Sequence, residues 1–265
     1  MYSRWQLAIK YLKHYLNASN RKGHGIHSPF VFEFITKILN DKKKYDAYDV
    51  VENLRKQLLI DSRLLTVEDF GAGSKKFEKY QRGIKYIAQN SAKSGKYGQL
   101  LYRILQFYQP ETILELGTSL GISTSYLALA ASSSKVITAE GANEIANVAH
   151  QNFQKLGIKN IELVKGNFDD TLKDILGNLK NVDFAFIDGN HRQEPTEKYF
   201  SQIMAKTHND SILVFDDIHW SREMEQAWAT IKEHPSVRCS IDLFFVGIAI
   251  FRQEFREKQH FCIRY

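Results

Sequence analysis

Residues 112–130 read Thr-Ile-Leu-Glu-Leu-Gly-Thr-Ser-Leu-Gly-Ile-Ser-Thr-Ser-Tyr-Leu-Ala-Leu-Ala. A short apolar strand here meets a glycine turn, and the turn opens a helix, so strand and helix must lie in adjacent layers. Gly117 lets the backbone reverse. Gly121 lets a ligand lie against the start of the helix, where N–H groups without intrahelical partners face outward. The spacing is E-x-G-x-x-x-G, which differs from the G-x-G-x-x-G of dinucleotide-binding turns and lacks the G-K-S/T of a phosphate loop. Glu115 at the strand end suits a cationic ligand better than a pyrophosphate.

The rest of the chain supplies the context. Lys135-Val-Ile-Thr-Ala-Glu140 predicts a second strand ending in an acid, followed by a helix over 142–156. An acid about twenty residues beyond such a turn is placed to accept hydrogen bonds from ribose hydroxyls. Three further strands, Ile161–Lys165, Val182–Ile187 and Ser211–Phe215, end in Gly-Asn-Phe168, Asp188-Gly-Asn-His191 and Asp216-Asp217-Ile-His219. Helical stretches over 171–179, 193–207 and 221–233 separate or follow them. Strands alternating with helices imply βαβ units and a parallel sheet covered on both faces, with ligands beyond the carboxyl ends of the strands. Every motif named so far falls at such an end. Val237 to Phe251 reads as two β-rich runs separated at Asp242, and Gln259 to Tyr265 as a final edge strand. The expected fold is α/β: a Rossmann-like, doubly wound sheet with an N-terminal helical appendage. Residues 1–96 form a helical extension or lid region, and 97–265 the principal domain.

These motifs, with Lys96-Tyr-Gly-Gln-Leu-Leu101 and Asp216-Asp-Ile-His-Trp220, resemble class I S-adenosylmethionine-dependent methyltransferases, and among them the small-molecule O-methyltransferases of the catechol and caffeoyl-coenzyme A type. The resemblance begins near Tyr97 and implies a seven-stranded sheet with an antiparallel C-terminal strand, closed by a hairpin over Val237 to Phe251. It implies that Glu115, Gly117, Thr118 and Ser123, with Ser119 and Gly121 on the same turn, surround the methionine part of S-adenosyl-L-methionine. It places Glu140 and Gly141 at the ribose, Asn167 and Phe168 at the adenine, and Asp188 beside the cofactor. It also implies a divalent cation, usually Mg2+, on Asp188, Asp216 and Asp217.

Two departures stand out. The family's Asp-Asn pair is Asp216-Asp217 here, and the Asp-Ala-Asp-Lys that follows the fourth strand is Asp188-Gly-Asn-His191. Carboxylates still suit a hard cation, which would lower the pKa of a bound substrate hydroxyl. Without a metal, His191 or His219 is the candidate general base, since imidazole titrates near neutrality.

A second glycine cluster, Asp69-Phe-Gly-Ala-Gly-Ser74, copies the D-x-G-x-G form more closely, yet no acid-terminated strand follows it. It reads as a turn or lid loop, and Tyr80 to Ala92 as a helix. Charge is concentrated at the front: residues 1–45 carry nine Lys/Arg against two Asp/Glu, while the whole chain has a net charge of +6. Trp5, Ala8, Ile9, Leu12, Tyr15 and Leu16 recur at helical spacing, with Lys10, Lys13 and His14 on other faces. This predicts a helix packed on the main domain with solvated lysines. His24 and His27, three apart, have no third ligand close in sequence. Cys239 and Cys262 fit no metal-ligand spacing and read as thiols of a cytoplasmic protein. No run approaches the ~18 apolar residues of a membrane span. The expected partner is a small-molecule methyl acceptor, with a homodimer compatible. Two alternatives are a nucleic-acid methyltransferase, which the basic front favours and the missing Asn/Asp-Pro-Pro-Tyr/Phe signature disfavours, and a non-catalytic cofactor-binding protein.

Overall fold

The computed structural model describes residues 1–19, 26–68, 79–90 and 95–265. The chain divides into two compact units: one combines residues 1–41 with 176–265, and the other is residues 42–175. The glycine cluster at 69–74 and His24 lie outside the described residues.

The first unit opens with α1 (Arg4–Asn17), started by a capping box in which Ser3 accepts from the Gln6 N–H while the Gln6 side chain accepts from the Ser3 N–H. Helix α2 (Pro29–Glu33) has Ser28 as its cap and proline at its first turn, and runs on into a π-helical stretch (Phe34–Leu39). The expected helix at the front is present, but its faces are reversed. Leu7, Lys10, Tyr11 and His14 turn toward the protein, while Trp5, Ile9, Leu12 and Leu16 face solvent, Trp5 at 81% exposure. The reason is electrostatic: acidic side chains of the same unit meet this helix and draw its cations inward (below).

The second unit holds α3 (Asp46–Leu58), the antiparallel hairpin β1 (Leu64–Glu68) and β2 (Lys79–Gly83), α4 (Ile84–Asn90) and α5 (Gly95–Tyr108). The helix expected over 80–92 therefore begins only at Ile84, because the chain before it is paired as a strand. Leu65 and Val67 turn inward from β1, and Leu64 outward, in the period-two pattern of a strand. Three parallel strands follow: β3 (Thr112–Leu116), β4 (Lys135–Glu140) and β5 (Ile161–Lys165), with α6 (Ile122–Ala130) after β3, α7 (Asn143–Lys155) after β4 and α8 (Phe168–Gly177) after β5. Gly98 on α5 lies against the Tyr126 ring of α6, where a Cβ would sit 2.4 Å from a ring carbon. The Tyr126 hydroxyl donates to Glu52 of α3 at 2.8 Å, tying three helices together.

The remainder of the first unit carries β6 (Phe184–Ile187), α9 (Gln193–Met204), β7 (Ile212–Asp216), α10 (Arg222–Glu233), β8 (Cys239–Asp242), β9 (Val246–Ile250) and β10 (Gln259–Cys262). β6 and β7 are parallel, β9 is antiparallel to both β7 and β8, and β10 joins β8 in parallel. Strands β6, β7 and β9 are buried along their whole length, as expected of strands that read as unbroken apolar runs. The architecture is the α/β, Rossmann-like arrangement of mostly parallel strands flanked by helices, with an antiparallel C-terminal pair. Strands β3 to β9 match the expected seven, and β10 is the edge strand expected after them.

Candidate active site

In the second unit, parallel pairing sets the ends of β3 and β4 side by side, with Glu115 opposite Thr138 and Leu116 opposite Ala139. The turn beyond β3 holds three left-handed residues: Gly117 (φ 106°), Ser119 (φ 47°) and Gly121 (φ 82°). At Gly121 a Cβ would also sit 2.5 Å from the Phe153 ring, so glycine is required by both conformation and space. Gly121 is the N-cap of α6 and no side chain caps that helix, leaving its first N–H groups for another acceptor.

Glu115 is fully buried. One of its oxygens accepts from the Thr124 hydroxyl at 2.5 Å and the Thr138 hydroxyl at 2.6 Å; the other has no hydrogen-bond partner among the described residues. Burial pushes its pKa above the ordinary carboxylate value, against the hydroxyl donors. Thr118 is held by a 2.6 Å hydrogen bond with Thr138, and Ser123 at the start of α6 is buried. Glu140 closes β4 and reaches back across the turn: its oxygens accept from the Ser119 N–H at 2.8 Å and the Ala142 N–H at 3.0 Å. Each oxygen retains a second lone pair. Burial raises the Glu140 pKa, opposed by the N–H groups of Ala142, Ser119 and Gly141. At the end of β5 the Gly166 N–H donates to the Glu140 carbonyl, the Asn167 side-chain oxygen caps α8 through the Asp169 N–H, and Phe168 is half-buried as the first residue of that helix.

In the first unit, one potential metal-holding group combines Asp188 beyond β6, His191 and the buried Asp216 ending β7; one ligand atom from each lies within 4.8 Å of the others. His191 Nε2 is 3.5 Å from Asp188 Oδ1. Asp217, expected as a third carboxylate ligand, is not in this group. Its backbone is left-handed (φ 53°) and its N–H donates to the Phe245 carbonyl. His191 takes its place beside the two carboxylates.

His219, the other candidate base, is committed elsewhere. Its Nε2 lies 2.9 Å from Asp242 and its Nδ1 3.1 Å from Glu225. Burial opposes its charge, yet the two carboxylates outweigh it and hold its pKa above the ordinary value. An imidazole that donates through both nitrogens has no lone pair left to take a proton. The sequence reading missed Thr124 and Thr138, whose hydroxyls hold Glu115. A threonine at the register position facing a strand-end acid was the available signal.

Residues 114–218 match a family model described as a methyltransferase domain. Over 129 residues the chain is 30% identical to a catechol O-methyltransferase of Mycobacterium tuberculosis, a stretch that spans 48% of this chain and 57% of that relative. Among solved structures it is similar to the SAH-bound methyltransferase PaMTH1 of Podospora anserina (13% identity, TM-score 0.59, covering 95% of this chain and 97% of that one). It is also similar to an O-methyltransferase of Bacillus cereus in complex with SAH (18% identity, TM-score 0.57, covering 83% and 97%). At these identities the structural likeness is one of fold.

Proposed function

We propose that this chain, whose residues 114–218 match a methyltransferase-domain model, is an S-adenosylmethionine-dependent O-methyltransferase acting on a small hydroxylated acceptor. The observation that carries the reading is the β3 turn, where two acids at neighbouring strand ends flank a helix start that no side chain caps. The donor set fits the cofactor: the buried Glu115 oxygen without a partner suits a cationic group, and the second lone pairs on Glu140 suit the ribose hydroxyls. Gly117, Thr118, Ser119, Gly121, Ser123 and Gly141 line this turn, with Asn167 and Phe168 assigned to the adenine. The cofactor, when bound, supplies an electrophilic methyl group on a sulfonium.

In this reading His191 takes the proton of the acceptor hydroxyl and Asp188 orients the imidazole. Two carboxylate oxygens and an imidazole nitrogen fit a divalent cation; the nitrogen shifts preference from magnesium toward manganese or iron. In that second arrangement Asp188, His191 and Asp216 would hold the ion, which would lower the pKa of a bound hydroxyl in place of proton removal by His191. Residues 97–265 are assigned as the catalytic module and 1–96 as its N-terminal extension. A cytoplasmic setting is supported by two free cysteines. Among the described residues no helix is long and apolar enough to cross a membrane.

Calorimetry with S-adenosylhomocysteine should show micromolar binding, weakened by about 1.5–3 kcal/mol in Glu140→Ala, the worth of hydrogen bonds to a charged acceptor. Failure of the folded protein to bind, with NAD or ATP binding instead, would overturn the reading. With catechol as acceptor, His191→Ala should lower kcat while leaving cofactor affinity intact. Activity that survives excess EDTA excludes the metal role but not the transferase.

A further inference from the structure

A second group of ligating side chains lies in the first unit and has no part in the function proposed above. It gathers three distant stretches of chain. His14 comes from α1, Asp242 is the last residue of β8 and Cys262 the last of β10. In the parallel ladder Cys262 is the direct partner of Asp242, so their side chains leave the sheet on the same face. The Ser19 N–H donates to the Cys262 carbonyl at 2.8 Å, and Ser19 bridges to Ile263, which fixes the end of α1 against β10. One ring nitrogen of His14, one carboxylate oxygen of Asp242 and Cys262 Sγ all lie within 4.8 Å of one another.

The surroundings hold these groups in place. Asp242 Oδ1 faces His14 Nε2 at 3.1 Å and accepts from the Phe244 N–H at 2.8 Å, while its Oδ2 faces His219 Nε2 at 2.9 Å. His219 rests on Glu225, which in turn accepts from the Lys10 ammonium at 2.9 Å and the Tyr2 hydroxyl at 2.7 Å. The Phe244 ring stacks on His219, with centroids 5.1 Å apart, and meets His14 edge-on at 5.4 Å. A carboxylate ligand whose second oxygen is bound by a histidine, itself held by another carboxylate, is the kind of outer support that metal sites use.

An ion pair needs only His14 and Asp242, yet the Cys262 sulfur meets the same imidazole, so three ligating side chains converge where two would suffice. We propose that His14, Asp242 and Cys262 form a binding site for a thiophilic divalent cation, zinc by preference, which fastens α1 to the ends of β8 and β10. Thiolate, imidazole and carboxylate are zinc's usual donors, and a three-ligand set leaves the fourth tetrahedral position to water. The thiolate disfavours magnesium, and the two anionic ligands balance the ion's charge. On binding, the Cys262 thiol and any imidazolium at His14 lose their protons to solvent, and no redox change occurs.

The test uses the full chain titrated with cobalt(II), a spectroscopic stand-in for zinc. A thiolate-to-cobalt charge-transfer band should appear with one equivalent and vanish when zinc displaces the cobalt. Cys262→Ser, which preserves size at a half-exposed strand end, should abolish the band, whereas Cys239→Ala should retain it. His14→Ala should weaken zinc affinity at least ~10-fold. Asp188, His191 and Asp216 contain no thiol, so cobalt bound there gives no such band and the two sites are read separately. Zinc should also raise the thermal midpoint of the parent protein but not that of Cys262→Ser. A folded protein that shows no band, or a band that survives Cys262→Ser, overturns the site.

Discussion

Glu115 concentrates the tension of the candidate site in one side chain. Its carboxyl is sealed from water with one oxygen unmatched, and its pKa is raised by that burial. The folded form therefore holds its proton more tightly than the unfolded chain, and stability falls as pH rises from the ordinary value of 4.5 through the folded pKa. Glu115→Gln should raise the ligand-free melting temperature at pH 8, with the advantage shrinking toward pH 4, while weakening S-adenosylmethionine binding. Thermal melts across pH together with calorimetry check both halves; a variant that is less stable at pH 8 yet binds normally would contradict the account. Gly121→Ala should cost about 1–3 kcal/mol from left-handed strain alone, with more from the Phe153 ring 2.5 Å from the new methyl, as chemical denaturation would read. The strand ends and turn that carry Glu115, Gly121 and Glu140 were legible because strand, turn and helix are neighbours in sequence. His14, Asp242 and Cys262 were not, since 228 positions separate the first two and only the ladder brings the third beside them.

Among the elements, β4 and β5 fall on the residues their apolar runs mark, and Ser221 caps α10 where the pattern breaks. The hairpin β1–β2 escaped notice because two five-residue strands carry little periodic signal, and pairing with a distant segment decides their state. Helix α1 was read correctly as a helix and wrongly as to its faces. Apolar spacing cannot reveal that the surface awaiting it carries Glu225 and Asp242. The hold on α1 should weaken in alkali. Burial disfavours a charged His14, but hydrogen bonds to Asp242 and Cys262 prevail and lift its pKa to about 9. The resulting stabilisation is complete below the ordinary value of 6.5 and is lost as pH rises through about 9. In metal-free protein, amide exchange in α1, corrected for the intrinsic rate, should lose protection between pH 7 and 10 ahead of β6 and β7. Equal loss in all three would refute a local clamp.

On the scale of the whole molecule, one unit is closed from both ends of the sequence while the other is continuous. Residues 1–19 are held by the last strands: Ser19 bridges Ile263, and the Arg264 guanidinium donates to the Leu16 carbonyl. Deleting residues 259–265 should therefore release α1, and trypsin should cut at Lys10 and Lys13 in the shortened chain far faster than in the full one. Unchanged cleavage would show that the contacts of α1 with Glu225 and Asp242 suffice. The same arrangement has a meaning in time. A ribosome adding about 5–20 residues per second needs roughly 10–45 s to pass from Asn17 to Asp242, so α1 must wait for β8 and β10 before it has anything to hold. Until then both its faces, Leu7 and Tyr11 on one side and Trp5, Ile9, Leu12 and Leu16 on the other, stand open to whatever meets a nascent chain.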